Sequence, residues 1–171
     1  LFKRSMGTNE IFYLDREAFS ATDLSTLVVK QLVADAESYL GEKVDEVLIS
    51  VPAYFNEKQR SATKAIGQRL GIKVERLINE PSAAAIACHK IGKDESFIVF
   101  DFGGGTLDVS VVDCFDNVIS IVSIAGDNFL GGSDFDKAIA EDFCQSQWID
   151  LEKLDTKQKS SLLLSSERCK L

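Results

Sequence analysis

The first half of the chain carries apolar residues at helical spacing. Apolar side chains recur on one face between Leu24 and Leu40, and Ser20 and Asp23 form a capping box ahead of them. Gly41 stands where a left-handed residue ends such a helix. The pattern therefore predicts a helix over residues 21–40.

Short β-branched segments alternate with further helical patterns up to about residue 92. Asn56 and Gln59 have the spacing of a second capping box, and Pro81 suits the first position of a helix. Such alternation predicts α/β layering. In chain order the predicted elements are strand 11–14, helix 21–40, strand 46–51, a helix from Asn56, strand 73–78 and a helix from Pro81 to about Gly92.

From Phe97 onward the pattern changes to a period of two. Short turn segments, including Gly103–Gly105, separate three alternating stretches, which is typical of an antiparallel meander. A helix capped at Ser133, with Phe135, Ala138, Ile139 and Phe143 on its inward face, is predicted to follow, and then a polar helical tail over 151–171. The three predicted strands lie at 97–100, 107–113 and 117–125.

Composition narrows the class of protein. The chain has 171 residues, of which 19 are basic and 27 acidic, so its net charge is −8. This balance argues against a nucleic-acid binder, which needs positive charge to neutralise phosphates, and against an anionic membrane surface as partner. No apolar run is long enough to cross a bilayer. The four well-separated cysteines predict reduced thiols in the core of a cytoplasmic protein.

The densest candidate for chemistry is the segment DFGGGTLD. Gly103–Gly105 allow backbone N–H groups to converge on a phosphate without obstruction by Cβ atoms, and Thr106 offers a hydroxyl. Asp101 and Asp108 bracket the loop, an arrangement that suits a magnesium ion held through its water shell. On the residues alone, a glycine hairpin with solvated aspartates is an equal alternative.

Two further segments are weaker candidates. Glu80 lies where a predicted strand turns into a helix, a position that suits orienting a water molecule or holding a cation but is also an ordinary helix cap. Asp127–Gly132 (DNFLGG) is a glycine turn before a helix whose first amides can face an anion, and is otherwise an ordinary loop.

Four motifs stand in a characteristic order: VPAYFNEKQR, INEPSAAAIA, VFDFGGGTLDVS and AGDNFLGGSDFD. Together they closely resemble the nucleotide-binding domain of the seventy-kilodalton heat-shock chaperones of the DnaK type. The likeness covers nearly the whole chain. The opening KRSMGTN is similar to specialised bacterial DnaK relatives.

The resemblance implies an actin-like, ribonuclease-H-type fold, with residues 1–92 as part of lobe I and 93–171 as the beginning of lobe II. It implies a cytoplasmic stress-response chaperone that hydrolyses ATP to ADP and phosphate with Mg²⁺ and couples nucleotide state to peptide binding. The nucleotide-binding residues so implied are Gly103, Gly104, Gly105, Thr106, Gly131 and Gly132.

The resemblance also assigns individual roles in catalysis. Glu80, Asp101 and Thr106 are implied to be catalytic, and Asp101 and Asp108 to hold Mg²⁺ through water. Phosphoryl transfer of this kind needs mainly positioning and charge neutralisation, which these groups can supply.

Four other positions match family residues that contact partner domains or proteins. Pro52 and Arg60 match a relay that reports nucleotide state to the peptide-binding domain, and Arg76 and Asn79 match positions near the docking face for a J-domain co-chaperone. A nucleotide exchange factor and client peptides are the other partners that the resemblance implies.

The chain departs from the family pattern at a few positions, among them Ser133 in place of an acidic residue. We expect the first phosphate hairpin and the catalytic lysine to precede Leu1, and the adenosine-binding segments to follow Leu171. The chain alone is therefore expected to lack ATPase activity and to show no binding at micromolar nucleotide.

Two alternatives to a chaperone ATPase remain open on the sequence. One is a partner-docking module of the same family without significant hydrolysis. The other is a different actin-like phosphotransferase, such as a sugar kinase, against which the motif Asn79–Glu80–Pro81 argues.

Overall fold

The computed structural model describes residues 2–88, 93–116 and 118–171 as a mixture of helices and small sheets. Short 3₁₀ helices occur at Phe2–Ser5 and Leu151–Lys153. The α-helices are α1 (Ala21–Leu40), α2 (Glu57–Leu70), α3 (Glu80–Cys88), α4 (Gly132–Ser146) and α5 (Thr156–Lys170). The strands are β1 (Ile11–Leu14), β2 (Glu17–Ser20), β3 (Ile49–Val51), β4 (Leu77–Asn79), β5 (Glu95–Phe102), β6 (Leu107–Phe115) and β7 (Val118–Asp127).

The chain divides into two compact units. One comprises Leu1–Val99 with Ser110–Ile124, and the other Phe100–Val109 with Ala125–Leu171. The lobe boundary after residue 92 stays a prediction. The predicted end of α3 near Gly92 lies outside the described residues.

Strands β1 and β2 form a hairpin of which the sequence pattern predicted only β1. Leu14 pairs with Glu17, so the turn consists of Asp15 and Arg16 alone. Both take positive φ, 46° and 77°, as two-residue turns require when they match the twist of the strands. The hairpin was missed because neither turn residue is the glycine or asparagine that usually signals such a turn.

Helix α1 begins and ends where the pattern predicts. The Ser20 hydroxyl accepts the Asp23 N–H at 3.1 Å, and the Asp23 carboxylate accepts the Ser20 N–H at 2.8 Å. Gly41 ends the helix with φ of 72°. Arg69 of α2 also pairs with Asp23, so the start of α1 is attached to α2.

Helix α2 confirms the second predicted capping box. The Asn56 side chain accepts the Gln59 N–H at 3.1 Å, and the Gln59 side chain accepts the Asn56 N–H at 2.9 Å. The flanking strands β3 and β4 are shorter than predicted. An isolated parallel bridge between Glu46 and Lys73 marks where the longer strands were expected to begin.

Strands β3 and β4 lie parallel, with α2 between them in sequence. Val51 is opposite Asn79, so both strands end at the same edge and Pro52 and Glu80 follow directly. A core cluster anchors this edge to α1 and α2. Its buried members are Met6, Ala21, Val51, Phe55 and Ile66.

Strands β5, β6 and β7 are neighbours in that order. The connections between them are far too short for a parallel crossover, so the predicted antiparallel meander is confirmed, with longer strands. Along β6 the most buried side chains are those that alternate from Asp108. They are Asp108, Ser110, Val112 and Cys114.

The predicted cap and inward face of α4 are both wrong. The cap is Gly131 rather than Ser133, because the Asp134 carboxylate accepts the Gly131 N–H at 2.9 Å. Phe135 and Phe143, predicted to face inward, are 44% and 48% exposed. The buried positions are Asp136, Ala140 and Cys144, and α4 packs against α5.

Among residues 2–88, 93–116 and 118–171, no helix combines the length and apolar character needed to cross a membrane.

The cysteines divide into two classes. Cys114 and Cys144 are buried as predicted, whereas Cys88 and Cys169 are exposed. Burial raises the pKa of the Cys114 thiol, and Glu95 and Asp113 add to the effect. A raised thiol pKa reduces the thiolate fraction that reacts with electrophiles.

A thiol-reactive disulfide reagent at neutral pH is therefore expected to modify Cys88 and Cys169 rapidly and Cys114 and Cys144 only after unfolding. Mass spectrometry of peptides from the folded and the urea-unfolded protein measures each site. Cys88→Ser serves as the control and should remove one rapid site only. Rapid modification of Cys114 in the folded protein would contradict the burial described above.

Asp23→Ala is expected to lower the free energy of unfolding by about 1 kcal/mol at neutral pH, since it removes half of a capping box. Hydrogen bonds from Ser20, and the nearby Arg69, hold the pKa of Asp23 below its ordinary value. The stabilisation is therefore complete above the unfolded-state pKa of about 3.9 and is lost as pH falls through the lower folded-state value.

Urea unfolding of both proteins as a function of pH measures this difference, which should shrink below about pH 4. Asp35→Ala is the matched control, because Asp35 lies on the same helix and accepts an exposed hydrogen bond from Gln31. Equal losses of stability in the two variants would show that the capping box contributes nothing specific.

Candidate functional site

A glycine loop at residues 103–106 joins β5 to β6. The Gly103 N–H donates to the Thr106 carbonyl at 3.1 Å, which closes the loop as a tight turn. Gly103 and Gly104 are exposed, and Gly105 and Thr106 are half-buried. A Cβ atom added at Gly104 would meet no atom within 4 Å, so the loop has an open side on which a ligand can approach the main chain.

The second glycine segment, at Gly131–Gly132, lies directly against this loop. The Gly132 N–H donates to the Gly103 carbonyl at 3.0 Å, and the Ser133 N–H donates to the Gly104 carbonyl at 2.9 Å. A Cβ atom on Gly131 would lie 2.3 Å from the Gly105 nitrogen. The structure therefore brings together two segments that the sequence analysis identified separately.

This contact engages the first N–H groups of α4. The sequence suggested that the first amides of this helix face an anion. Instead the Gly131 N–H binds the Asp134 carboxylate, and the N–H groups of Gly132 and Ser133 bind carbonyls of the loop. The start of α4 therefore supports the loop from one side.

Two carboxylates flank the glycine loop, as predicted. Asp101 is exposed near the end of β5, whereas Asp108 is 8% exposed on β6. Within the described parts of the chain, no group of three or more His, Cys, Asp or Glu side chains is arranged to hold a metal. Two carboxylates fit an ion such as Mg²⁺, which prefers oxygen ligands and keeps several of its waters.

In the other compact unit, Arg60 connects the turn after Pro52 to β4. Its guanidinium donates to the Phe55 carbonyl at 2.9 Å and to the Ala53 carbonyl at 3.3 Å. It also donates to the Asn79 side-chain oxygen at 2.8 Å. Pro52 is buried, and its carbonyl accepts the Phe55 N–H at 3.1 Å. Pro52, Arg60 and Asn79 thus form one connected group.

Glu80 is the next residue after Asn79 and the first of α3. Its side chain is 21% exposed, and Oε1 accepts a hydrogen bond from Lys3 Nζ at 3.0 Å. The sequence analysis missed Lys3, because 77 positions separate it from Glu80 and no local pattern connects them. The signal that could have drawn attention to Lys3 was its position in the KRSMGTN segment, which the sequence analysis compared with DnaK relatives. Arg76 is exposed ahead of β4.

The chain belongs to the Hsp70 protein family, whose family model matches residues 5–170. The resemblance of the four motifs to seventy-kilodalton heat-shock chaperones is thereby confirmed at the level of the family. The mixed helices and sheets are consistent with part of the actin-like ATPase fold of this family. Hsp70 proteins are chaperones with an ATPase domain that binds ATP or ADP with Mg²⁺, and they work with co-chaperones and client peptides.

Gly131→Ala is expected to lower the free energy of unfolding by about 2 kcal/mol, because the added methyl group overlaps main-chain atoms of Gly104 and Gly105 and forces one of the two segments to shift. The φ of Gly131, −167°, is accessible to any residue, so the loss arises from the overlap alone. Denaturant unfolding of the protein measures it.

Gly104→Ala is the matched control, since its added methyl group enters open space. Its free energy of unfolding should stay within about 0.5 kcal/mol of the wild-type value. Similar stability of the two variants would mean that the α4 segment and the loop are not in close contact.

Proposed function

We propose that the loop at 103–106 holds the β- and γ-phosphates of ATP in a DnaK-type chaperone that couples ATP hydrolysis to peptide binding. The observation that carries the proposal is the close contact of Gly131 with Gly104 and Gly105. It supports the loop from one side, while the exposed side of Gly103 and Gly104 leaves the main chain accessible to a phosphate.

The flanking side chains complete this part of the site. We propose that Asp101 and Asp108 orient water molecules of a magnesium shell and that Thr106 places its hydroxyl beside the phosphates. When bound, Mg²⁺ neutralises charge on the phosphate oxygens. Gly131 and Gly132, predicted as nucleotide-binding residues, take a supporting role in this proposal, because their N–H groups are engaged by Asp134 and by Gly103.

Glu80 is proposed to orient the attacking water, as the family resemblance implies. Its carboxylate oxygen is an acceptor suited to a water proton, and Lys3 provides a positive charge at 3.0 Å. We therefore propose Lys3, within this chain, for the role of the catalytic lysine that the sequence analysis expected to precede Leu1. This supports a role for the pair beyond that of an ordinary helix cap.

The hydrogen bonds of Arg60 support a role in coupling. Arg60 contacts both the turn after Pro52 and Asn79, whose neighbour is Glu80. If Glu80 moves on hydrolysis, the movement takes place next to Asn79. The Asn79 side chain is hydrogen-bonded to Arg60, which also holds the turn after Pro52. We include in the proposal that Pro52 and Arg60 transmit nucleotide state to a peptide-binding domain.

The remaining parts of the proposal concern organisation and partners. Residues 1–92 are proposed to contribute to lobe I and 93–171 to lobe II of the nucleotide-binding domain. Exposed Arg76 and half-buried Asn79, three positions further along the chain, are proposed to lie near the docking face for a J-domain co-chaperone. A nucleotide exchange factor, client peptides, a heat-shock role and a cytoplasmic location belong to the same proposal.

In the intact protein, Thr106→Ala and Glu80→Gln are each expected to slow ATP hydrolysis by about 10- to 100-fold. Each change removes one polar group to which the proposal assigns a role in hydrolysis and adds no volume, so the free energy of unfolding should change little. Single-turnover hydrolysis at saturating Mg²⁺-ATP, together with urea unfolding, measures both quantities.

Glu75→Gln is the matched control, since Glu75 is an exposed glutamate that pairs only with Lys73 in the described contacts. It should hydrolyse ATP at the wild-type rate. Wild-type turnover in both test variants would remove the proposed roles. ATP binding and normal co-chaperone binding without any hydrolysis in the unchanged protein would instead favour a docking module.

A further inference from the structure

Helix α4 is followed by a left-handed residue that is not glycine. The Trp148 N–H donates to the Gln145 carbonyl at 3.3 Å. The next N–H, of Ile149, donates to the Cys144 carbonyl at 2.9 Å. This pair of hydrogen bonds places Trp148 where helices with such an ending favour glycine. Its φ is 57°, which is unfavourable for a bulky side chain.

Two other helix ends in the chain show the usual solution. Gly41 ends α1 with φ of 72°, and Gly71 ends α2 with φ of 66°. Trp148 is the only tryptophan of the chain and is 95% exposed. An aromatic ring is thus held in water on a strained main chain, and strained positions of this kind cluster at functional sites.

A groove of about 470 Å³ lies between α4 and α5 beside this tryptophan. Its apolar wall includes Phe143, Leu154, Leu162 and Ile149, the residue directly after Trp148. Among the described residues that line the groove, none is charged. The volume is in the range of sites that enclose a small ligand, so one aromatic side chain can be accommodated.

The hydroxyl groups along the groove are engaged within α5. The Ser165 hydroxyl donates to the Ser161 carbonyl at 2.9 Å, and the Ser166 hydroxyl donates to the Leu162 carbonyl at 3.0 Å. An occupant therefore gains mainly from burial of apolar surface. This favours an aromatic side chain over a phosphate or a sugar.

We propose that two copies of the chain associate through this surface, each inserting Trp148 into the groove between α4 and α5 of the other. A projecting ring beside a groove is self-complementary, which is what a two-fold symmetric interface requires. The ring and the groove belong to the same compact unit. This association does not depend on the proposed function of the glycine loop.

Charge on this surface suits a second copy better than a charged partner. The chain carries a net charge of −8, but residues 150–159 contain three acidic and three basic residues. Some of these charges already pair locally, as Asp150 does with Lys153 at 3.2 Å. The segment after Trp148 is therefore neutral, and repulsion between two copies of an acidic chain is low there.

The area of the contact sets its strength. An aromatic side chain buries about 150–250 Å², so two indoles and the groove surface that covers them remove roughly 600–1,000 Å² from water. Stable interfaces begin at about 1,200 Å². A reversible dimer with a dissociation constant of about 10–100 μM is therefore expected.

The test compares three variants of the full chain. Trp148→Gly removes the ring and supplies the residue that the main chain favours, so its urea midpoint should not fall. Ser165→Phe places a ring in the groove. Ser160→Phe makes the same change at an exposed position of α5 outside the described lining of the groove and is the matched control.

Sedimentation equilibrium from about 1 μM to 1 mM measures the dissociation constant. Trp148→Gly and Ser165→Phe are each expected to raise it about tenfold or more, whereas Ser160→Phe should match the wild type. Because the chain has one tryptophan, wild-type emission should move to shorter wavelength as the concentration rises.

A mixing experiment identifies the two halves of the contact. The Trp148→Gly protein keeps the groove and has no tryptophan, and the Ser165→Phe protein keeps the ring. Titration of the first into the second should move the emission to shorter wavelength. Titration with the double variant Trp148→Gly/Ser165→Phe should leave it unchanged.

Three outcomes would overturn the proposal. The wild-type protein could remain a monomer at every concentration. Dimers of equal strength in all variants would place the interface elsewhere. Short-wavelength emission that does not depend on concentration would mean that Trp148 occupies the groove of its own chain.

Discussion

The main-chain contact between the start of α4 and the β5–β6 loop is the constraint on which this part of the molecule depends. Gly131 approaches Gly105 so closely that any side chain would overlap main-chain atoms. Two backbone hydrogen bonds then connect the helix to the loop carbonyls. A loop of consecutive glycines has high conformational entropy when unsupported. Attachment to a helix reduces that freedom and leaves the exposed side of the loop open.

In the other compact unit, the candidate functional residues are brought together at the shared edge of two parallel strands. Because Val51 lies opposite Asn79, the residues that follow β3 and β4 are neighbours. Arg60 then joins the turn after Pro52 to Asn79 through side-chain hydrogen bonds, and Glu80 follows at the start of α3. Residues that the family resemblance assigned to separate roles in coupling, docking and catalysis are thus physically adjacent.

The accuracy of the sequence-based predictions depended on how local the determining interactions are. The caps at Ser20 and Asn56 were correct because each is completed by a residue three positions away. The cap at Ser133 was wrong because the hydrogen bonds of Gly131 and Gly132, to Asp134 and to the β5–β6 loop, decide where α4 begins. Phe135 was placed on the wrong face because packing against α5, rather than its own apolar character, selects the buried side of α4.

By itself, the sequence determined the α/β class, the order of helices and strands apart from β2, the glycine loop with its flanking carboxylates and the family to which the chain belongs. These follow from short-range patterns and from ordered motifs. Only the tertiary structure decided that the two glycine segments touch, that Lys3 pairs with Glu80 and that Lys170 reaches Gly132. The last two contacts join residues 77 and 38 positions apart, and such contacts form only when packing brings distant elements within hydrogen-bonding distance.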